Sequence, residues 1–327
     1  MRAIVIDGYG GRDRMRLDDR PEPSPGAGEL LIDLKAASVN PVDWKIRSGE
    51  LKAILWLKFP YIPGGDVAGE VVAVGPGVSR FRAGDPVVAF VDLKRGGGYA
   101  ERVVVKESAT ARKPESLDFI EASTLPIAGC TALQAMRDHG GLRVGGSVLI
   151  NGGAGGVGHF AVQVARAMGA SVEATAGPSN LEFVRSIGAD RVIDYHREDF
   201  TRLPDRFDVI FDAIARSTFP ACRDRLNPGG VYVTTLPNPN VLVWGALQSV
   251  AGLLGRAKKS RFLWVRQEGA DIAELGRLAD EGKVRPEIAA TFPLDRAREA
   301  HELSEQGHVR GKIVLDLLEV RRPGFQG

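Results

Sequence analysis

Two cysteines in 327 residues, Cys130 and Cys222, cannot build a disulfide framework. Charge of neither sign dominates: 43 Lys and Arg against 41 Asp and Glu leave a formal net charge of +2. That balance argues against a nucleic-acid partner and against a polybasic membrane patch. No stretch reaches the roughly 18 consecutive apolar residues of a membrane span. The opening MRAIVIDGYGGRDRM lacks the apolar core of a secretory signal, so the expected location is cytoplasmic. No Ser-His-acid set and no carboxylate pair stands out, so hydrolysis has no support. What is abundant is glycine, with 40 residues, alongside 44% hydrophobic and 26% charged residues. This is a soluble globular composition, with length for two domains and many tight turns.

The glycines are most telling at VLINGGAGGVGHFAVQVARAMGA, residues 148–170. Ser147 to Asn151 is short and apolar, as expected of a buried strand. From Gly156 to Met168, residues Val157, Phe160, Ala161, Val164, Ala165 and Met168 share one broad helical face. Ser171 to Thr175 reads as the next strand, completing a βαβ unit of about 30 residues. Gly153, Gly155 and Gly158 fit G-x-G-x-x-G in that setting. The first is assigned the tight turn, the second the approach of backbone to a pyrophosphate, the third helix–strand packing. Ala154, Gly156 and Val157 complete the loop, and the helix N-terminus offers N–H groups to the phosphates. The bland alternative, a glycine-rich structural turn, explains the bend but not the second glycine.

An acid at the end of the second strand would select NAD through the ribose 2′-hydroxyl. The strand runs into AGPSN, with Gly177 at that place. The missing negative charge favours NADPH, with NADH as the alternative. Ser179 and Asn180 are candidate donors to a 2′-phosphate, and Tyr195, Arg310 and Lys312 are candidates to reach it. Ser179 alternatively caps the helix of NLEFVRSIGA.

RVID (191–194), DVIFD (208–212), GVYVTT (230–235) and RFLWV (261–265) continue the alternation. Six strands with crossovers predict a doubly wound parallel sheet of Rossmann type, with ligand beyond the strand C-terminal ends. Asn151, Asp212, Ala213, Thr235 and Leu236 are therefore groove candidates. The N-terminal part differs: AIVI, ELLIDLKAA, GEVVAVG, PVVAF and YAERVVV alternate with Gly/Pro turns, as in an antiparallel β-rich domain. Residues 289–294 and 311–317 read as strands that return to it. The expected division is 1–122, 123–267 and 268–327, the first and last parts forming one domain.

Words along nearly the whole chain carry a resemblance: AASVNPVDWKIRSG (36–49), PGGDVAGEVVAVGPGV (63–78), GDPVVAF (84–90), GGYAERVVV (97–105), LPIAGCTALQAM (125–136), GGAGGVGHFAVQVA (152–165), GADRVIDY (188–195) and GHVRGKIVL (307–315). In this order they resemble the medium-chain dehydrogenase/reductase superfamily, zinc-free NADPH:quinone oxidoreductase type. The resemblance implies an α/β protein with a GroES-like catalytic domain, a Rossmann cofactor domain and a cleft between them. Zinc-dependent members carry a cysteine where SVNPVD has Asn40 and a His-Glu pair where PGGD has Gly65-Asp66. The region of their cysteine-rich lobe reads FVDLKRGGGYAE here. The five histidines (139, 159, 196, 301 and 308) do not fall at those positions, so no metal is expected. His301 and His308 are expected on a late solvated helix and its end, and His159 either packs or faces phosphate. Cys130 reads as a small buried residue near the cleft.

Without a Lewis acid, hydride delivery to an electron-poor acceptor is the feasible chemistry: a quinone or an α,β-unsaturated carbonyl. The resemblance places SVNPVDWK under the nicotinamide. Asn40 is the candidate amide donor to the acceptor oxygen or nicotinamide, Asp43 orients its neighbours, Lys45 donates charge or a proton, and Tyr61 lines the pocket. Thr131 is assigned to the nicotinamide amide. Against these stand a turn role for Asn40-Pro41, a cap for Asp43, a solvated surface for Lys45 and plain packing for Tyr61. Rival functions are a zinc alcohol dehydrogenase, an enoyl-thioester reductase of the same fold and a non-catalytic NADPH-binding regulatory protein. The apolar stretch 241–255, followed by a basic run, is either a cleft or dimer-interface helix or a membrane-surface helix, and a homodimer is expected.

Overall fold

The computed structural model describes residues 1–235 and 257–318. Leu236 and the stretch 241–255 therefore lie outside the described residues. The chain divides into two compact units. The first comprises 1–128, 266–282 and the chain from 286 on; the second comprises 129–265 with 283–285. The sequence reading ended its parts at 122 and 267, and it gave no sign that 283–285 joins the second unit.

The second unit is built on six parallel strands in spatial order Arg191–Asp194, Ser171–Ala176, Ser147–Asn151, Phe207–Asp212, Leu226–Thr234, Lys259–Phe262. In chain order this is 3-2-1-4-5-6, the doubly wound arrangement whose switch point falls beside the first strand. Val148, Leu149 and Ile150 are fully buried, which is why this strand reads as an unbroken apolar run rather than an alternating one. The sixth strand is Lys259–Phe262, earlier than the RFLWV run suggested; Trp264 lies beyond it and is half exposed. Its apolar residues mimicked a strand, but the pairing to Val231–Thr234 uses 259–262.

The first unit holds a seven-stranded, mainly antiparallel sheet. Its centre is the long strand Glu29–Val39, paired antiparallel with Asp66–Val74, Arg102–Lys106 and Lys312–Asp316. Pro86–Phe90 and Thr110–Arg112 extend it on one side. Ile288–Pro293 runs parallel to Lys312–Asp316 at the other edge, so both late strands lie in this sheet. Two register shifts interrupt the pairing of Glu29–Val39 with Asp66–Val74, at Leu31/Ile32 and Leu34/Ala36. They bend the strand just before it delivers Ser38, Val39 and Asn40.

Asn40 has the extended backbone expected before proline (φ −126°, ψ 152°) and opens the helix Pro41–Ser48. Pro41 takes the first helical position, where its missing N–H costs nothing, and Gly49 ends the helix in the left-handed region (φ +88°). The helix Ala297–Gln306 packs against this one, with the Trp44 indole donating to Ser304 Oγ at 3.2 Å.

Next to the second bulge, a Cβ at Gly69 would stand 2.2 Å from Asp33 O, a backbone atom. Gly69→Ala is therefore expected to destabilise the protein by about 2 kcal/mol or more. Thermal unfolding checks this, and an unchanged Tm would show that the strand yields there.

Candidate functional site

The glycine loop follows the first strand of the parallel sheet and leads into the helix Gly158–Ala167. The left-handed turn falls on Gly152 (φ +90°), not on Gly153 as the motif suggested. Gly153 serves packing instead: a Cβ there would stand 2.8 Å from Ala174 Cβ and 3.1 Å from Val184 Cγ1. Gly158 lies closest of all, since a Cβ would come within 1.9 Å of Gly152 O. Gly155 differs from both, because its Cβ would meet nothing nearer than Gly152 O at 3.5 Å. Three glycines are thus demanded by the protein itself, whereas the bareness of Gly155 serves the space outside it. The helix Gly158–Ala167 starts three residues beyond this corner, with the His159 N–H of its first turn bonded back to Gly155 O.

Side chains from neighbouring strand ends hold the loop. The Thr175 hydroxyl accepts from Gly152 N–H at 2.9 Å and donates to Asn151 Oδ1 at 2.7 Å. Asn151 Nδ2 donates to Asp212 Oδ1 at 2.9 Å, and Asp212 Oδ2 accepts from Tyr232 O–H and Ser217 N–H. Asp212, a groove candidate from sequence, is fully buried, so its carboxylate organises strand ends rather than lining a groove. Ala213 and Thr235 are half-buried beyond those ends. His159 is buried with Nδ1 3.0 Å from Gly155 O; a carbonyl only accepts, so Nδ1 carries the proton and braces the loop. Thr131 and Cys130 are buried on the short helix Cys130–Gln134.

At the end of the second strand, Gly177, Ser179 and Asn180 form a turn with Ser179 exposed and no acid. The Tyr195 hydroxyl closes on it, 3.1 Å from where a Gly177 Cβ would be, while Tyr195 stays 48% exposed and lies beside the His196 ring. The Tyr195 hydroxyl thus lies beside the Gly177–Asn180 turn at the end of the second strand. The cap position of the following helix is Asn180 and not Ser179, so the competing cap reading of Ser179 does not hold.

Lys312 is not among them. It belongs to the first unit, buried, with Nζ donating to Asn40 Oδ1 at 2.5 Å and to Val39 O at 3.3 Å. Asp66 Oδ2 stands 3.8 Å from the same ammonium. The expectation that Lys312 reaches a 2′-phosphate is corrected: its charge is committed to a buried acid and a carboxamide. Arg310 ion-pairs with Glu287 at 2.9 Å.

Asn40 is enclosed on every side. Its Nδ2 donates to Asp66 Oδ2 at 2.8 Å and to Ser38 O at 3.3 Å, and its backbone N–H donates to Asp43 Oδ2 at 2.8 Å. A carboxamide has two N–H bonds, and both are used within the protein. The sequence expectation of an amide donor aimed at the acceptor is thereby corrected. Asp66 Oδ1 in turn accepts from Ile127 N–H at 2.8 Å. Burial raises the Asp66 carboxyl and lowers the Lys312 ammonium, each partly opposed by the other's charge. Asp43 is buried, pushed up to about 6 by desolvation and held back by Asn40 N–H, the Tyr99 hydroxyl and Lys312.

The side chains of the remaining catalytic candidates make no hydrogen bond to Asn40, Asp43, Asp66 or Lys312. Lys45 is half-buried with its ammonium 5.4 Å from the centre of the Trp44 ring. Tyr61 is buried and donates its hydroxyl to Leu93 O at 2.8 Å, a packing role. Sequence reasoning missed Asp66 and Tyr99 as polar members of this cluster, Thr175 in the loop, and His301. That histidine was expected on a solvated helix, yet it is fully buried. One signal was available: an acid heading the apolar strand DVAGEVVAV is an anomaly that calls for a donor.

Residues 26–115 match the family model described as alcohol dehydrogenase GroES-like domain, and 187–315 match zinc-binding dehydrogenase. The chain is 37% identical over 327 residues to a chloroplast envelope quinone oxidoreductase homolog of Arabidopsis thaliana, covering 97% of this chain and 98% of the other. It is 36% identical to an NADPH-dependent alkenal/one oxidoreductase of the same plant, covering 96% of this chain and 79% of that one. Among solved structures, the quinone oxidoreductase from Coxiella burnetii superposes with TM-score 0.84 at 35% identity, covering 97% and 99%. The zinc named in one description does not suit the donors present. Asn40 is a neutral carboxamide bonded on both sides, and Asp66 already shares its oxygens with Asn40, Ile127 and an ammonium. Among the described residues no three His, Cys, Asp or Glu side chains gather as a metal-binding group.

Gly155→Val and Gly158→Ala separate ligand space from protein packing. Gly155→Val is expected to leave Tm near that of the wild type and to weaken NADPH binding about tenfold or more, roughly 1.4 kcal/mol. Gly158→Ala is expected to lower Tm. Fluorescence titration and thermal unfolding read both, and wild-type affinity in Gly155→Val would remove the pyrophosphate from this corner.

Proposed function

The chain belongs to the medium-chain dehydrogenase/reductase superfamily, quinone oxidoreductase type, and from that premise we propose that it is an NADPH-dependent reductase of quinones or α,β-unsaturated carbonyls that works without a metal. The observation that carries the reading is the bare corner at Gly155, open where a diphosphate would lie and set at the head of a helix. When bound, NADPH supplies the hydride. The chain's own work is binding and charge placement. The glycine loop receives the diphosphate, and Gly177, Ser179, Asn180 and Tyr195 take the 2′-phosphate, with no carboxylate at the strand end to repel it. In the first unit, the positive charge of Lys312 stands behind Asn40 Oδ1. Opposed by Asp66, it polarises the Asn40 carboxamide, and that dipole, rather than Lys45, is the element assigned to bias charge at the acceptor. Tyr61 has no part, since its hydroxyl is spent on Leu93 O.

Purified protein is expected to oxidise NADPH when given a quinone or an enone, faster than it oxidises NADH, and at a rate unchanged by a chelator. The loss of absorbance at the nicotinamide band measures this. No turnover with either acceptor class, or activity abolished by chelation and restored by zinc, would sink the proposal. A homodimer is also proposed, because Lys259–Phe262 is an edge strand of the parallel sheet with no further strand beside it among the described residues. Sedimentation at micromolar concentration is expected to give twice the 35.1 kDa chain mass; a monomer there would refute it.

A further inference from the structure

The buried groups left unused by the proposed chemistry form a line through the first unit. Arg47, buried on the helix Pro41–Ser48, has Nη1 3.2 Å from His301 Nδ1. Its other N–H groups donate to Gly10 O and to Glu305 Oε1, at 3.3 and 2.6 Å. His301 Nε2 lies 3.2 Å from the Tyr99 hydroxyl, the rings meeting edge to face. Tyr99 O–H donates to Asp43 Oδ2 at 3.0 Å, the oxygen that also accepts from Asn40 N–H.

The direction of every bond follows from its first member. A guanidinium has no acceptor, so His301 Nδ1 must accept and hold a lone pair. The imidazole is then neutral, with its proton on Nε2, and donates to Tyr99. Tyr99 is left to donate to Asp43. A second observation agrees: burial and the adjacent Arg47 push the His301 imidazolium down to about 3. Because the chain begins on a group that does not release its proton, it is no conduit from solvent. It transmits polarisation instead.

We infer that Arg47, His301 and Tyr99 are positioning residues, a one-way chain of donors that holds Asp43 as an anion clamped on the backbone N–H of Asn40. The consequence for reduction rests on the function proposed above. A protonated Asp43 would loosen its hold on the Asn40 N–H, and with it the carboxamide that faces Lys312. Asp43 is poorly served otherwise: its Oδ1 is buried with no hydrogen-bond partner. The charged and titratable groups facing it are Lys312 from one strand, Asp66 from another, Tyr61 from the loop before that strand, and Tyr99. Against burial stand the Asn40 N–H, the Tyr99 donor and the charge of Lys312, in that order, so losing the Tyr99 donor removes a main support of the anion.

The test uses the full chain. In histidine-labelled protein, the ¹⁵N signals of His301, assigned by their loss in His301→Gln, are expected to show a neutral Nε2–H ring from pH 8 down to pH 5. An Nδ1–H ring, or protonation by pH 6, would overturn the chain. In the pH profile of kcat, the acid limb of Tyr99→Phe and of His301→Leu is expected to move up by about one pH unit or more, because each loses a donor chain to a carboxylate. KM for NADPH is expected to stay the same. His301→Gln is expected to restore the wild-type limb, since its amide keeps one acceptor and one donor at similar spacing. Coincident profiles for wild type and Tyr99→Phe would overturn the positioning role. A wild type with no turnover would instead sink the proposed reaction, and the chain would then stand or fall on the ¹⁵N signals.

Discussion

Burying a carboxylate is costly unless its oxygens are supplied with donors, and the first unit is organised around meeting that demand twice. Asp66 is served by Asn40 Nδ2 and Ile127 N–H with Lys312 nearby, and Asp43 by Asn40 N–H and Tyr99. Asn40 is common to both, contributing a backbone donor to one acid and a side-chain donor to the other. Its carbonyl oxygen then takes the ammonium of Lys312. The residue at this turn therefore has no freedom to rotate or flip. Its orientation follows from its neighbours, which is what a site that must place charge accurately needs.

The second unit solves a different problem with the opposite material. Where the first unit fills space with polar side chains, the glycine loop removes side chains altogether. Gly158 and Gly153 are bare because protein atoms press on them, and Gly152 because its backbone turns left-handed. Gly155 is bare with none of these pressures. Thr175 and Asn151 tie the loop to the strand ends, and the Asp212–Tyr232 network ties those ends to one another. The result is an open corner before a helix start, fixed from beneath, which is the kind of place that favours an anion.

The two halves were not equally legible in sequence. The parallel sheet and the glycine loop are written in local pattern: apolar runs of strand length, glycines at fixed spacing and helical periodicity. The sixth strand shows the limit of such reading, since it lies two residues earlier than the apolar run RFLWV and shares only Arg261 and Phe262 with it. In the first unit the motif words were recognisable, but the roles of their residues were not. Lys45 and Tyr61 had suitable chemistry yet lie on a helix flank and in a packed loop. Lys312, Asp66, Tyr99 and His301 carry the polar cluster while being separated along the chain by tens to hundreds of residues.

By itself, then, the sequence determined the class of fold, the βαβ unit and the absence of an acid after the second strand, because each depends on neighbours a few residues away. Tertiary structure decided which glycine turns and which leaves room, that His301 is buried between Arg47 and Tyr99, and that Lys312 faces Asn40 rather than a phosphate. The last two depend on donors and acceptors meeting across strands 29–39, 66–74 and 312–316 and two helices, and the first on how closely the loop packs on itself and on the neighbouring strand. Hydrogen bonding leaves no periodic trace in a chain, so no local pattern records which distant acid a given lysine will find.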